Sequence, residues 1–240
     1  MGLYRKRVTI LVGHFGSGKT EIALNGALDL AAAGERVILA DIDVVKPYFR
    51  SRAARAILGD ADVELLAPTG ANVHADLPII VPQIRSHLRD SDRRLIMDVG
   101  GDEVGARVLG SLSDVVPSDD TDCWLVLNFR RPSTPDPERA LQMVREIEEV
   151  GRVPVSGLIS NTHLMDETTP AIVLDGYHQA VETARLAEVP VVAVTVTEEL
   201  AAGLRDENFE CPVVALHRIV MPPFEQSHKR RTTGPLFVVN

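Results

Sequence analysis

The sequence has little cysteine, no long apolar run and no excess of basic charge, and each of these shortages excludes a class of protein. Its 240 residues include two cysteines, Cys123 and Cys211, which are far apart and form no C-x-x-C pair. A disulfide framework or a cysteine-built metal site within one chain is therefore not expected, and scarce cysteine is typical of a reducing compartment. No stretch approaches the ~20 apolar residues that cross a bilayer, and the formal net charge is −9. We therefore expect a soluble cytoplasmic protein without a membrane or nucleic-acid partner.

Two common catalytic signatures are also missing. The sequence contains no G-x-S-x-G motif, which would place a nucleophilic serine on a sharp turn. Its histidines show no H-E-x-x-H spacing of the kind that binds zinc on one helix face. A serine hydrolase and a histidine-based zinc enzyme therefore find no support.

The apolar pattern predicts an α/β fold. Short β-branched runs alternate with longer helical stretches, and most runs are continuously apolar, as expected of parallel strands that are covered on both faces. This rhythm predicts a mostly parallel central sheet of seven to eight strands with helices on both faces. The predicted strands are residues 8–12, 36–40, 62–66, 94–99, 122–128, 155–161, 190–196 and 212–216. The predicted helices are residues 19–33, 49–58, 77–88, 103–112, 136–150, 169–187 and 198–204.

The chain is predicted to form one domain. The content of hydrophobic residues, 45%, suits a single core of substantial size. Residues 1–216 carry the repeating pattern, whereas residues 217–240 contain a proline pair and a basic cluster without periodicity. We expect these last residues to be an appendage rather than a separate domain.

The strongest motif lies between the first predicted strand and the first predicted helix. Residues 13–20 read Gly-His-Phe-Gly-Ser-Gly-Lys-Thr and match the P-loop pattern G-x-x-x-x-G-K-[ST]. Glycines let the backbone N–H groups converge on one anion, and the helix N-terminus adds its positive dipole end. Lys19 would contact the β- and γ-phosphates, and the Thr20 hydroxyl would ligate Mg²⁺. The predicted nucleotide-binding residues are Gly13, His14, Phe15, Gly16, Ser17, Gly18, Lys19, Thr20, Glu21 and, from a later strand, Asn161.

Two later strands end in acidic residues that complete a metal and water site. Asp98 follows an apolar strand and precedes two glycines, which suits a residue of the metal shell. Asp41 and Asp43 leave the strand after the P-loop and could hold hydrated Mg²⁺ and position an attacking water. The predicted metal residues are Thr20, Asp43 and Asp98, and the predicted catalytic residues are Lys19, Asp41 and Asp43. The alternative is that these acids only cap the turns that follow their strands.

Together these elements resemble the MinD/ParA-like branch of P-loop ATPases, which also includes CobQ/CobB-type and Mrp-type proteins. The resemblance covers residues 8–216, and the D-x-D of that branch is matched by Asp41 and Asp43. It implies ATP with Mg²⁺ as cofactors. Many members carry a second lysine after the first loop glycine, which reaches across a homodimer to the partner's nucleotide. Here that position is His14, so the chain is similar to a subgroup without that lysine, and a homodimer is an open alternative.

The base is predicted to be adenine rather than guanine. The strand end at residues 160–164 reads Ser-Asn-Thr-His-Leu and lacks the N-K-x-D motif that reads guanine. The resemblance implies that Asn161 contacts adenine, although this residue could also only cap the turn. Arg130 and Arg131 leave another strand at the same sheet edge, where ligands of such sheets bind. They could touch a phosphate, a substrate or a partner, or simply be solvated.

These features predict a slow Mg²⁺-dependent ATPase that acts as a switch on an unidentified protein partner. The alternative is an ATP-dependent small-molecule kinase or ligase of the dethiobiotin-synthetase-like type, with Lys46, Arg50 and Arg130 as candidate substrate contacts. A third alternative is a metal-cluster carrier. It would require a site shared between chains, built from Cys123 or Cys211.

Overall fold

The fold is an eight-stranded sheet flanked by helices. A computed structural model describes residues 3–43, 52–68, 73–89, 92–204 and 207–219. Its strands are β1 (Val8–Gly13), β2 (Val37–Asp41), β3 (Glu64–Leu66), β4 (Arg94–Gly100), β5 (Thr121–Leu127), β6 (Gly157–Ser160), β7 (Val191–Thr197) and β8 (Val213–Leu216). Its helices are α1 (Lys19–Ala32), α2 (Arg52–Asp60), α3 (Val73–Arg89), α4 (Glu103–Leu112), α5 (Pro137–Gly151), α6 (Pro170–Ala187) and α7 (Glu198–Ala201).

The order of the strands places β1 between the strands that supply the site. The sheet runs β3-β2-β4-β1-β5-β6-β7-β8, and every neighbouring pair is parallel. The predicted parallel α/β sheet is therefore confirmed. Because all strands point the same way, their carboxyl ends meet at one edge, where such folds bind ligands.

The sheet is buried on both faces, which explains its continuously apolar strands. Successive residues of a strand point to opposite faces. Ile10 and Val12 of β1 pack with residues of α3, α4, α5 and α6, whereas Leu11 packs with α1 and α2. The helices therefore cover both faces, as the sequence predicts.

The bounds of α3 and α5 differ from the prediction. Helix α3 begins at Val73 rather than at residue 77. Gly151 is the last residue of α5, and Arg152 takes the left-handed C-cap conformation with φ 54°. The start of the predicted helix 49–58 and the tail from residue 220 lie outside the described residues. None of the helices within the described part of the chain has the length and apolar character that a membrane span requires.

The segment after β8 is fastened to the helix that follows the P-loop. The side chain of Asn25, in α1, is 5% exposed. Its Nδ2 donates to His217 O at 2.9 Å, and its Oδ1 accepts from His217 N at 2.8 Å. The carboxylate of Glu21, one turn earlier, accepts from Ile219 N. These contacts fix residues 217–219 along α1.

We expect Asn25→Ala to lower the free energy of unfolding by about 1 to 3 kcal/mol, because it leaves the His217 amide and carbonyl without their partner. Urea denaturation should show a lower midpoint at an unchanged m-value. The control is Asn208→Ala, at an exposed position, where the change should stay within about 0.5 kcal/mol. Equal midpoints for the two variants would show that the hydrogen bonds between Asn25 and His217 do not contribute to stability.

Candidate nucleotide-binding site

The P-loop, residues 13–20, joins β1 to α1 and leaves the first amides of the helix open. Gly16 and Gly18 have φ angles of 79° and 89°, in the left-handed region that glycine tolerates. Gly18 is the N-cap residue of α1, and no side chain caps its amides. Such a helix N-terminus presents N–H donors and a positive dipole end to an anion.

Neighbouring strands hold the loop tightly and leave no space for side chains at its glycines. A Cβ on Gly13 would lie 2.8 Å from Val126 O in β5, and one on Gly18 would collide with the side-chain amide of Asn161. The amide of Gly101, after β4, donates to Gly13 O at 2.9 Å. The loop is therefore positioned by main-chain contacts from both sides of β1.

Three aspartates meet the P-loop at the carboxyl ends of β2 and β4. Asp41 and Asp98 are partners in the register of these strands. Lys19 Nζ lies 2.5 Å from Asp43 Oδ2, and the Thr20 hydroxyl donates to Asp98 Oδ2 at 2.6 Å. The structure thus brings together all the residues that the sequence predicts for catalysis and metal binding.

The charges of this cluster strongly perturb one another. Burial, and then the charge of Asp98, raises the pKa of Asp41 well above its usual value. Burial also raises the pKa of Asp98, against the opposing effects of Lys19 and the Thr20 hydroxyl. Burial alone would lower the pKa of Lys19, but the nearby carboxylates of Asp98 and Asp43 outweigh it, so that pKa is raised. Lys19 is therefore firmly cationic, and the cluster as a whole has more acid than base.

The donor set suits a magnesium ion that is held partly by phosphate and water. Within the described residues, no group of three or more His, Cys, Asp or Glu side chains is arranged as a metal cage. Mg²⁺ commonly uses one or two protein ligands together with substrate phosphates. Asp98 is 1% exposed, and its Oδ1 has no hydrogen-bond partner among the described residues. This buried oxygen and the adjacent Thr20 hydroxyl fit such an ion.

A cavity of about 470 Å³ extends from the P-loop to the ends of β6, β7 and β8. Its far wall includes Thr197, Leu200 and Leu216, so it offers apolar surface beyond the phosphate end, as nucleotide sites do. Burial, together with the charges of Arg131 and Arg218, lowers the pKa of His163 to about 4. The imidazole in this wall is therefore neutral at physiological pH.

Asn161 lies between the P-loop and this wall. Its Nδ2 donates to Ser17 O at 2.7 Å, and its Oδ1 accepts from Thr195 Oγ1 at 2.8 Å. The residue therefore braces the loop, and it also lines the cavity. Contact with adenine stays a prediction.

The remaining P-loop side chains have different surroundings. Phe15 is 52% exposed at the cavity mouth, and Ser17 is buried. Glu21 reaches the segment after β8, as described above. Burial lowers the pKa of the half-buried His14, although Glu146 and Asp102 oppose this shift. The charges of Lys19 and Arg139 reinforce it, so His14 lies near charged groups of both signs in its own chain.

The two arginines after β5 have separate positions. Arg130 Nη2 forms an ion pair with Asp175 of α6 at 2.9 Å, and Arg130 does not line the cavity. Arg131 lines the cavity, and its Nε donates to Gly16 O at 3.1 Å. Asn128 donates to the same carbonyl at 3.2 Å. Asn128 was not among the site residues predicted from the sequence. A polar residue directly after an apolar strand is the signal that could have indicated it.

Arg130 is the candidate substrate contact of the alternative kinase or ligase that the described residues include. Arg130 is held outside the cavity, and Lys46 and Arg50 lie outside the described residues. Both cysteines are free thiols. Burial raises the pKa of Cys123 to about 12, so this thiol is a poor metal ligand at neutral pH.

Comparisons with known proteins support the fold. No family model and no curated protein sequence matches the chain. FtsY from Mycoplasma mycoides is similar at 19% identity over 81% of this chain and 62% of that one, with a TM-score of 0.51. Chloroplast FtsY from Physcomitrella patens has 21% identity over 81% and 59%, with a TM-score of 0.52. The signal recognition particle 54 kDa protein from Aeropyrum pernix, solved with GDP, has 17% identity over 77% and 40%, with a TM-score of 0.50.

These similarities define a class of fold. The chain spans less than two thirds of the length of each of these three proteins. At such low identity the likeness shows the fold alone. The chain therefore has the same kind of parallel α/β fold as these proteins, and its P-loop motif lies between the central strand β1 and the helix α1.

Proposed function

We propose that the protein binds Mg²⁺–ATP at the P-loop and hydrolyses it slowly, as a nucleotide-dependent switch on a partner protein. The observation that carries this proposal is the buried ion pair between Lys19 and Asp43, beside the hydrogen bond from Thr20 to Asp98, at the head of a nucleotide-sized cavity. Burying a charged group costs free energy unless the group is paired with an opposite charge or serves a function. A bound polyphosphate would pair with the Lys19 ammonium, and its Mg²⁺ would pair with Thr20 and Asp98.

Each residue of the cluster has a role that follows from its position. The open amides of the loop and the Lys19 ammonium stabilise charge on the phosphates. Thr20 and Asp98 would hold Mg²⁺, which supplies further neutralisation of phosphate charge when it is bound. Asp41 accepts the Asp43 amide at 3.1 Å, so it orients the turn that carries Asp43. The carboxylate of Asp43 would orient the attacking water.

The pairing of Lys19 with Asp43 suggests how occupancy is signalled. The Lys19 ammonium contacts the Asp43 carboxylate at 2.5 Å. A bound phosphate would compete for the same ammonium and weaken this contact. In this proposal the change in the contacts of Asp43 is the signal that nucleotide is bound.

The choice of ATP over GTP rests on the residues at the end of the cavity where the base would bind. No N-K-x-D motif follows β6, where Asn161 and His163 line the cavity instead. His163 is neutral, and its Nδ1 accepts from Met165 N at 3.4 Å, which leaves Nε2 as a donor to a base. A structural neighbour was solved with GDP, which makes GTP the competitor to test.

We further propose that the chain is a MinD/ParA-like protein, based on the combination of the P-loop, Asp41, Asp43 and Asp98. His14 does not replace the second lysine of many members in this proposal, because burial lowers the pKa of its imidazole and favours the neutral form. A homodimer in which this residue contacts the partner's nucleotide is therefore not part of the proposal.

Isothermal titration of the full chain with ATP and GTP, with and without Mg²⁺, tests the proposal. We expect Mg²⁺-dependent ATP binding, at least about tenfold tighter than GTP binding, which corresponds to about 1.4 kcal/mol. Slow phosphate release should accompany it without an added metabolite. Binding of neither nucleotide would overturn the proposal. Tighter binding of GTP would overturn the choice of base alone.

A further inference from the structure

The described residues around the phosphate end of the cavity carry an excess of negative charge. Lys19 is surrounded by Asp41, Asp43 and Asp98, all of which act on its pKa. A nucleoside triphosphate adds several more negative charges, and a single Mg²⁺ offsets only part of this sum. Favourable binding of a polyphosphate therefore calls for another cation at the same end of the cavity.

Arg131 lies where such a cation is needed. It leaves the carboxyl end of β5, the neighbour of β1 on the side opposite β4 and β2. Lys19 is approached by aspartates from β4 and β2, so Arg131 reaches the loop from the other side. Its guanidinium lines the cavity with Gly16, Gly18 and Lys19.

The guanidinium is anchored to the loop through a single nitrogen. Nε donates to Gly16 O at 3.1 Å. A Cβ on Gly16 would lie only 2.9 Å from that Nε, so the guanidinium packs closely against the loop. Among the described residues, neither Nη of Arg131 has a hydrogen bond or a carboxylate partner. A fork of N–H donors is therefore held rigidly in an anion-binding cavity.

Two nearby arginines do not combine a position in the cavity with a contact to the loop backbone. Arg130 is adjacent in sequence but pairs with Asp175 away from the cavity. Arg218 lines the cavity but pairs with Asp166 at 2.9 Å, near the base end. Arg131 alone of these three combines a cavity position with a contact to the loop backbone.

We propose that Arg131 binds the phosphates of the nucleotide within its own chain, from the side of the P-loop opposite to the aspartates. This inference rests on the proposed function and adds a specificity residue to it. The planar guanidinium suits two phosphate oxygens at once. Because the anchor fixes Nε, little rotamer entropy remains to be lost when a phosphate arrives.

The experiment compares Arg131→Ala, Arg131→Lys and Arg131→Gln, with Arg130→Ala as the matched control. Affinities for AMP, ADP and ATP are measured by titration in the presence of Mg²⁺, and tripolyphosphate is measured as a competitor. We expect Arg131→Ala to weaken ATP binding on the order of ten- to a hundredfold, with a smaller loss for ADP and the smallest for AMP. Lysine should restore part of the affinity because it keeps the charge, and glutamine should not. Arg130→Ala should bind like the wild type.

The other outcomes separate this inference from the proposed function. If the wild type binds Mg²⁺–ATP and Arg131→Ala binds it equally well, the inference is wrong and the proposed function stands. If glutamine rescues binding as well as lysine, or if AMP, ADP and ATP lose the same factor, Arg131 only positions the loop, and the inference is again wrong. If the wild type itself binds no nucleotide or tripolyphosphate, the proposed function fails first.

Discussion

Replacing Lys19 with alanine is expected to weaken Mg²⁺–ATP binding by about a hundredfold or more, because two charge-assisted hydrogen bonds to phosphate are lost. The same change removes an ion-pair partner of Asp43 and a cation that acts on Asp98. Breaking a buried ion pair on one side typically costs about 3 to 5 kcal/mol. Titration calorimetry measures the first effect, and urea denaturation of the nucleotide-free protein measures the second.

Loss of binding must be separated from loss of folding. We expect the double variant Lys19→Ala with Asp41→Asn to regain part of the stability, because one buried negative charge is removed, but not to regain binding. Lys6→Ala is the matched control, since Lys6 contacts Asp122 at 3.5 Å outside the cavity. A stable Lys19→Ala variant that binds Mg²⁺–ATP as tightly as the wild type would remove the basis of the proposed site.

Asp41→Asn is expected to stabilise the nucleotide-free protein at neutral pH by about 1 to 3 kcal/mol, while lowering ATP turnover. Asp41 is 3% exposed, and burial with the charge of Asp98 raises its pKa well above the usual value. An asparagine at this position retains the oxygen that accepts the Asp43 amide. The variant thus removes a buried charge but keeps the hydrogen bond.

The pH dependence of this gain follows from linkage. A raised pKa means that the folded state holds a proton that the unfolded state has released, so the stability of the wild type falls as pH rises from the ordinary carboxyl pKa through the raised one. The gain from Asp41→Asn should therefore vanish near the ordinary carboxyl pKa, about pH 4, and grow as the pH is raised to neutrality. Asp60→Asn, at an exposed position, is the control. A gain of the same size at both pH values would contradict the assignment.

The sheet could be predicted well because each strand is indicated by a short run of contiguous residues. A run such as β1 is apolar at nearly every position, which only a strand covered on both faces requires. The P-loop is equally local, since its glycines, Lys19 and Thr20 are contiguous. Boundaries were less certain: nothing in the periodicity indicated that α3 extends back to Val73, or that Arg152 rather than Gly151 takes the left-handed position.

The contacts that hold the loop could not be predicted in the same way. Arg131 and Asn161 meet the P-loop across 115 and 144 residues of sequence, respectively. Each lies after a strand, as several other polar residues do, and sequence alone does not tell which of them turn toward β1. The sequence predicted the correct sheet edge for Arg130 and Arg131 but did not indicate which of the two lines the cavity. Only the positions of α6 and Gly16 do so.

The strand order has a consequence for the folding of this chain during its synthesis. The P-loop is synthesised before β4 and β5, which flank β1, and before Asn161, which donates to Ser17 O. Such non-local pairing is intrinsically slow to form. An emerging chain therefore carries the complete phosphate motif long before it has the walls that shape it. Nucleotide capture would be a late event of biosynthesis and would mark a finished sheet.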